Sequence, residues 1–491
     1  MPRRVVVEEP IILPKTIAET MKQPLDSLFR PESVAMIGAS ANPAKLSHIA
    51  LKNLSRGRFR LYPVNPKETR ILDLRCYPSV LDIPEPVDMA LISVPAESTI
   101  EPFKECVKKG VGVVVVTSSG FRESGAEGRR LEDALVRARR GSKTRILGPN
   151  TMGIFVPSMG LDTLFIPTER SPRPGKGSIA MLSQSGAVSV SFLEKAEAGQ
   201  IGISACVGLG NKSDINENEL MTYLASDQET KCIALYVESF SSGREFASIA
   251  REVTRTKPVV VLKSGRTDSG AMAARSHTGA IASASDAMVD GVLRQVGVVR
   301  AYDEEELVDV SKALAYLDHI RGDRICVVAS AGGFGVIAAD YVESKERGAG
   351  LRMARLSKQT QDSLRKVVPA SSAVRNPVDL TAGVTDGMYE SVLTILQEDP
   401  GVDGIMMSLE LQPPNITRGL IEVAERRSKA PGAPIVVSAF GGDHTGPMLK
   451  EFEQKGVPAY PTIWRAVRAL RALAQRGIHL SKRETPSEDT R

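Results

Sequence analysis

Short, almost wholly apolar runs recur along this chain, and each one ends in a small or turn-forming residue before a stretch of helical length. Ser33-Val34-Ala35-Met36-Ile37 closes on Gly38 and is followed by a helical pattern from about Ala44 to Leu54. Arg60 to Val64, Met89 to Val94, Gly112 to Thr117 and Ile146-Leu147 continue the series up to Gly148-Pro149-Asn150. Runs that are continuous rather than alternating belong to strands covered on both faces, which parallel sheets with crossover helices provide. A second series comprises Ser178 to Leu182, Ile203 to Val207, Cys232 to Val237 and Val259 to Leu262. A third comprises Ile325 to Ala329, Gly404 to Ser408 and Ile435 to Ser438. The pattern predicts an α/β protein of three consecutive Rossmann-like or flavodoxin-like parallel-sheet domains.

A chain of 491 residues is too long for one core. The expected organisation is an extended arm over 1–25, marked by Pro10, Pro14 and Pro24, then a first domain over 26–155 and a second over 156–300. A charged helical connector over 301–320, a third domain over 321–480 and a polar tail over 481–491 complete it. Aromatic residues are 4% of the chain, with Trp464 the single tryptophan, so stacking platforms for single-stranded nucleic acid are scarce and no nucleic-acid partner is expected. The net charge of +5 is spread among nearly as many acids as bases and points to no class of partner. Five widely spaced cysteines with no CxxC or Cys/His ligand spacing predict reduced, mostly buried thiols, no metal site and a cytoplasmic protein. No apolar stretch is long enough to span a bilayer, and Met1 to Arg4 opens onto no signal-peptide core, so no membrane partner is expected.

Three strand-to-helix turns are candidate anion seats, because backbone N–H groups and the positive end of a helix dipole converge there. The first is Gly38-Ala39-Ser40-Ala41-Asn42-Pro43. It lacks the later glycines of a dinucleotide fingerprint, and the second strand leads to Lys67 rather than to the acid that would hold a ribose diol. A cation there suits a ligand with an extra phosphate, as coenzyme A has. Val94-Pro95 and Thr117-Ser118 lie just past the next strand ends, on the same edge. The second seat is Ser183-Gln184-Ser185-Gly186, and the third is the Gly-rich turn Ser330-Ala331-Gly332-Gly333. Among five histidines, His277 stands in Arg275-Ser276-His277-Thr278-Gly279, read as a small polar loop beyond the strand ending at Leu262. Glu238 ends another strand of that sheet, where a carboxylate could hold one ring nitrogen and leave the other nucleophilic. No GxxxxGK[ST] loop occurs, so a triphosphate has no evident seat on this chain.

Ser33-Val-Ala-Met-Ile-Gly-Ala-Ser40, Tyr62-Pro-Val-Asn-Pro-Lys67, Cys76-Tyr-Pro-Ser79, Gly148-Pro-Asn150 and the Ser276-His-Thr-Gly279 segment resemble the ADP-forming acyl-CoA synthetases, relatives of the succinyl-CoA synthetase α subunit. Arg375-Asn-Pro-Val-Asp-Leu380 and Tyr460-Pro-Thr462 extend the likeness from about Leu25 to about Leu473. The resemblance implies that coenzyme A lies on Gly38, Ala39, Ser40, Ala41, Lys67, Val94, Pro95, Thr117, Ser118 and Asn150. It implies that His277 is phosphorylated and oriented by Glu238, with phosphate held by Ser185, Gly186, Gly332, Gly333, Ser276 and Thr278. The reaction implied is acyl-CoA, ADP and inorganic phosphate to free acid, ATP and CoA, through an acyl phosphate and phosphohistidine. ADP/ATP and Mg would sit on an ATP-grasp β subunit, in an α2β2 assembly. Val190 stands where succinyl-specific relatives carry Tyr, which points to acetate or another small acid; Thr151 stands where many relatives have Cys. A CoA-binding regulatory protein on the same scaffold, without turnover, is the alternative.

Overall fold

The structure is a computed structural model that describes residues 25–278, 285–345 and 350–484, without the side chains of 275–278 and 483–484. The expected arm, but for Leu25, and the tail beyond 484 lie outside the described residues. The fold is α/β with mostly parallel sheets, and the chain divides into two compact units. One holds the residues up to Ile166 together with Gly208–Gln228, the other Pro167–Val207 together with Glu229 onward.

In the first unit, β1 (Ser33–Ile37), α1 (Leu46–Leu54), β2 (Arg60–Val64), β3 (Met89–Ile92), α2 (Ile100–Lys109), β4 (Val113–Val116), α3 (Ala126–Arg139) and β5 (Arg145–Leu147) build a parallel sheet ordered β2-β1-β3-β4-β5. Every residue of β1, β3 and β4 is buried, which is why these runs read as continuous rather than alternating. Ala35, Ile37, Ala90, Ile92, Val114 and Val116 share one face and pack with Phe103, Cys106 and Leu135 of the covering helices. Each such fully buried branched side chain contributes about 1.5–3 kcal/mol relative to exposure. Because the chain passes from β1 to β2 on one side and then to β3 on the other, the order reverses at β1/β3, the place where open α/β sheets form their ligand crevice. The 208–228 segment is clamped to this sheet: Arg145 bonds Asp214 through Nε at 2.8 Å and Nη2 at 3.0 Å, and Glu219 at 2.8 Å.

The second unit carries two sheets. β6 (Lys176–Ser183), α4 (Gly186–Ala198), β7 (Ile203–Gly208), β8 (Cys232–Val237), α5 (Gly243–Val253), β9 (Val259–Lys263), α6 (Asp268–Thr278) and β10 (Val299–Ala301) give the strand order β10-β9-β8-β6-β7. After α7 (Glu304–Leu317) come β11 (Arg324–Ala329), α8 (Gly332–Glu343), β12 (Arg352–Met353), β13 (Gly404–Leu409), β14 (Ile435–Ala439), α9 (Thr445–Gln454), β15 (Ala459–Tyr460) and α10 (Ile463–Glu484). The second sheet runs β12-β11-β13-β14-β15, with the short strand Val378–Asp379 also paired to β11.

The stretch expected as a charged connector, 301–320, holds the helix α7, which forms part of the interior. Residues 306 to 315 of α7 are all buried, among them Glu306, Asp309 and Lys312. α7 packs on β8, β9 and α10, and α10 packs in turn on α8 and β14. The buried charges are matched: Arg465 grips Asp309 with Nε and Nη2, both at 2.7 Å, and Arg468 reaches Asp303 at 2.8 Å.

A second difference concerns residues 276–278, expected as loop. They form the last turn of α6. Thr267 Oγ1 accepts the Gly270 N–H at 3.1 Å, Asp268 favours the helix start, and Ala271-Met272-Ala273-Ala274-Arg275 is a run of strong helix formers that carries the helix through to Thr278.

Candidate active site

The crevice of the first unit is built around Gly38. Its φ is +84°, and a Cβ there would stand 2.5 Å from Ser93 O and 2.7 Å from Val94 Cγ1, so only glycine lets the β1 and β3 ends approach this closely. The turn that follows is internally braced. Ser40 Oγ accepts the Asn42 N–H at 3.1 Å, Asn42 Oδ1 accepts the Ala44 N–H at 3.0 Å, and His48 Nδ1 lies 2.8 Å from Ser40 O. Ala41 through Leu46 are exposed, and α1 begins without a side-chain cap, leaving its first N–H groups open to an anion. Asn65 ties the β2 end to this turn: its Nδ2 donates to Ala39 O at 2.7 Å, and its Oδ1 accepts the Lys67 N–H at 2.9 Å. The Lys67 residue itself is exposed. Thr117 Oγ1 donates to Ile92 O at 3.1 Å, the Ser118 hydroxyl donates to Val94 O, and Asn150 N–H donates to Ser118 O at 2.9 Å. Gly38, Val94, Ser118 and Asn150 are thus gathered at one sheet edge, with Pro95 exposed beside them. Thr151 is buried and its hydroxyl donates to Gly208 O at 2.6 Å.

In the second unit Ser185 caps α4, its side-chain oxygen accepting the Val188 N–H at 3.4 Å. The first-turn N–H groups of Gly186 and Ala187 have no intrahelical acceptor. Glu238 is buried immediately after β8, and β8 pairs with β6 on one side and β9 on the other. The Tyr236 phenol lies 3.1 Å from Ser264 Oγ and also meets the Glu238 carboxylate; burial first, and that carboxylate in addition, raise its pKa. α6, which carries Ser276, His277 and Thr278 in its last turn, leaves from the end of β9. The side chains of Ser276, His277 and Thr278 are outside the described residues. Topology therefore brings the Ser185-Gly186 turn, Glu238 and the root of the His277 helix to three neighbouring strand ends.

At the third turn Gly332 and Gly333 are exposed. A Cβ on Gly332 would lie 2.9 Å from Asp379 Oδ2, while one on Gly333 would meet nothing within 4 Å. A carboxylate therefore already stands beside the first residue of α8, where the dipole favours it. In the sequence Asp379 stands out only as part of a matching motif; its approach to Gly332 depends on the pairing of Val378–Asp379 with β11.

A cleft of about 300 Å³ runs between α4 and the start of α7, lined by Val188, Ser191, Phe192, Lys195, Glu304 and Leu307 among others. Val190 is two residues from Val188, roughly 200° around the helix, so it faces away from this cleft. Among the described residues no group of three or more His, Cys, Asp or Glu could hold a metal ion, and no helix is long and apolar enough to cross a membrane.

Three family domains match the chain in order: a CoA binding domain over 32–157, a succinyl-CoA ligase like flavodoxin domain over 176–314 and a ligase-CoA domain over 325–476. The α subunit of acetate–CoA ligase (ADP-forming) I of Pyrococcus furiosus is 38% identical over 468 residues, covering 91% of this chain and 97% of that protein. Acetate–CoA ligase (ADP-forming) I of Archaeoglobus fulgidus is 36% identical over 465 residues, and there the match covers 95% of this chain but 65% of the relative. The solved dinucleotide-forming acetyl-coenzyme A synthetase 1 of Ca. Korarchaeum cryptofilum, in complex with phosphate and ADP, superposes with a TM-score of 0.85 at 31% identity, covering 94% of this chain and 99% of that one. With likeness in sequence and backbone along nearly its whole length, the chain belongs to the ADP-forming acyl-CoA synthetase family.

Proposed function

We propose that this chain is the CoA-binding, phosphoryl-carrying α-type subunit of an ADP-forming acyl-CoA synthetase acting on acetate or another small acid. The observation that carries this reading is the convergence of the Ser185-Gly186 helix start, the buried Glu238 and the root of the His277 helix at adjacent strand ends of one sheet.

In the first step a phosphate oxygen attacks the thioester carbonyl carbon of acyl-CoA. The C–S bond breaks, CoA leaves as thiolate and takes up a proton, and an acyl phosphate remains. A neutral ring nitrogen of His277 then attacks phosphorus, and the P–O bond to the acyl group breaks to release the carboxylate. Glu238 holds the other ring nitrogen and steadies the positive charge that develops on the ring. Finally a β-phosphate oxygen of ADP attacks phosphorus and the P–N bond breaks, giving ATP and neutral imidazole. Phosphoryl oxygens carry their negative charge throughout, and the helix starts at Ser185-Gly186 and Gly332-Gly333, with Ser276 and Thr278, supply donors for it. CoA lies along Gly38, Ala39, Ser40 and Ala41, with Lys67 for its ribose phosphate and Val94, Pro95, Thr117, Ser118 and Asn150 along the crevice. ADP and Mg belong to an ATP-grasp β subunit in an α2β2 assembly, in the cytoplasm, where five buried cysteines outside any disulfide are at home.

Incubating the full chain, with any subunit that co-purifies, with labelled phosphate and acetyl-CoA should give acid-labile, base-stable label that His277→Gln lacks. Label that persists in His277→Gln would show that another residue is the nucleophile. Complete absence of label with every small acyl-CoA would favour a CoA-binding regulatory protein.

A further inference from the structure

Gln184 sits between β6 and α4, one residue before the Ser185 cap, and is 8% exposed. Its main-chain N–H donates to Tyr236 O at 3.0 Å and so extends the β6–β8 ladder one step past the Ser183/Tyr236 pair. Beyond that point the parallel ladder ends, and the next N–H groups of the β8 strand need other acceptors. The Gln184 side chain provides them. Its Oε1 accepts the N–H of Glu238 at 2.9 Å and of Ser239 at 3.1 Å, and its Nε2 donates to Ser239 Oγ at 3.4 Å. A carbonyl oxygen has two lone pairs, and here both are used on consecutive residues. The direction in which Glu238 projects its carboxylate is thereby tied to the peptide that carries the Ser185-Gly186 helix start.

We infer that Gln184 is a positioning residue, which sets the Glu238 carboxylate in one rigid frame with the phosphate-binding turn so that the imidazole is oriented for phosphoryl transfer. This rests on the proposed role of Glu238. No contact with substrate is required of Gln184. Nothing in the SxSG pattern alone distinguishes it from any polar residue that fits a turn.

The test is a double-mutant cycle read as the rate of phosphohistidine formation from labelled phosphate and acetyl-CoA, on the full chain with any co-purifying subunit. Gln184→Met keeps length and volume but accepts no hydrogen bond from the two N–H groups. Its labelling rate should fall about 10- to 100-fold, the scale of leaving buried donors unpaired, with the half-saturating acetyl-CoA concentration unchanged. In a Glu238→Gln background the same substitution should cost less than about two-fold, because residues acting as one unit are not additive. A Gln184→Met rate equal to wild type, or a loss that multiplies fully with that of Glu238→Gln, would overturn the assignment. Gln184→Glu, which keeps an acceptor for both N–H groups, guards against a folding defect in the first variant. It should label within about ten-fold of wild type, and a hundred-fold loss would count against the proposal. Wild-type chain that carries no label on His277 would instead remove the catalytic reading itself, so the two failures are distinguishable.

Discussion

Lys312 on α7 and Glu453 on α9 meet in the interior at 2.5 Å although 141 residues separate them. The lysine also donates to Ala459 O at 2.7 Å, and the carboxylate accepts the Ala459 N–H at 2.8 Å. Burial pushes the Glu453 carboxyl up from an ordinary value near 4.5 to about 7, against the opposing pull of Lys312 and the Ala459 N–H. The folded state therefore binds the extra proton between those values, and this group's contribution to stability declines as pH rises through that window. Urea unfolding at pH 5 and pH 7 should show the decline in wild type and its loss in Glu453→Gln.

Removing only the cation of this pair strands a buried carboxylate and the Ala459 carbonyl. Lys312→Met should lower the free energy of unfolding by about 3 kcal/mol, measured by urea titration at pH 7.5. A value within about 0.5 kcal/mol of wild type, the scale of a neutral surface change, would mean that water replaces the ammonium.

Gly38 should tolerate no side chain. Ala at φ +84° is strained, and its Cβ would strike Ser93 O. Gly38→Ala is expected to cost about 2 kcal/mol of stability and to abolish CoA binding by calorimetry, whereas Gly333→Ala, with open space around it, should fold normally.

Lys67 makes a sharper discrimination possible. Its backbone is anchored by Asn65 while the residue is exposed. Lys67→Ala should weaken CoA by about ten-fold, the worth of one charge-assisted bond, and leave 3′-dephospho-CoA unchanged. Equal weakening of both ligands would move the ribose phosphate elsewhere.

The thiols offer a simple check on packing. All five are buried and outside any disulfide, and burial raises Cys232 to about 12 and Cys106 and Cys326 higher still. Since the thiolate is the nucleophile, none should be alkylated at pH 8 in the folded chain, and all five should be after denaturation.

The parallel strands are legible in the sequence because burial on both faces leaves an almost unbroken apolar run: Ser33–Ile37 and Cys232–Val237 have the bounds their residues suggest. The turn at Gly38 is legible for a related reason, since a glycine that closes such a run marks the chain turning sharply out of the sheet. What stays hidden depends on partners far away in sequence. The charges of α7 look solvated until Arg465 and Arg468 arrive from α10. The end of helix α6 reads as loop because its small polar residues mask the Ala-rich run before them. Asp379 reaches Gly332, and Gln184 reaches Glu238, only once the strands have paired.

The burial of α7 limits where this polypeptide could be divided. A cleavage near residue 320 would leave the buried Asp309 carboxylate on one piece and the Arg465 guanidinium that matches it on the other. The two sheets of the second unit are thus better regarded as a single inheritable part than as beads on a string.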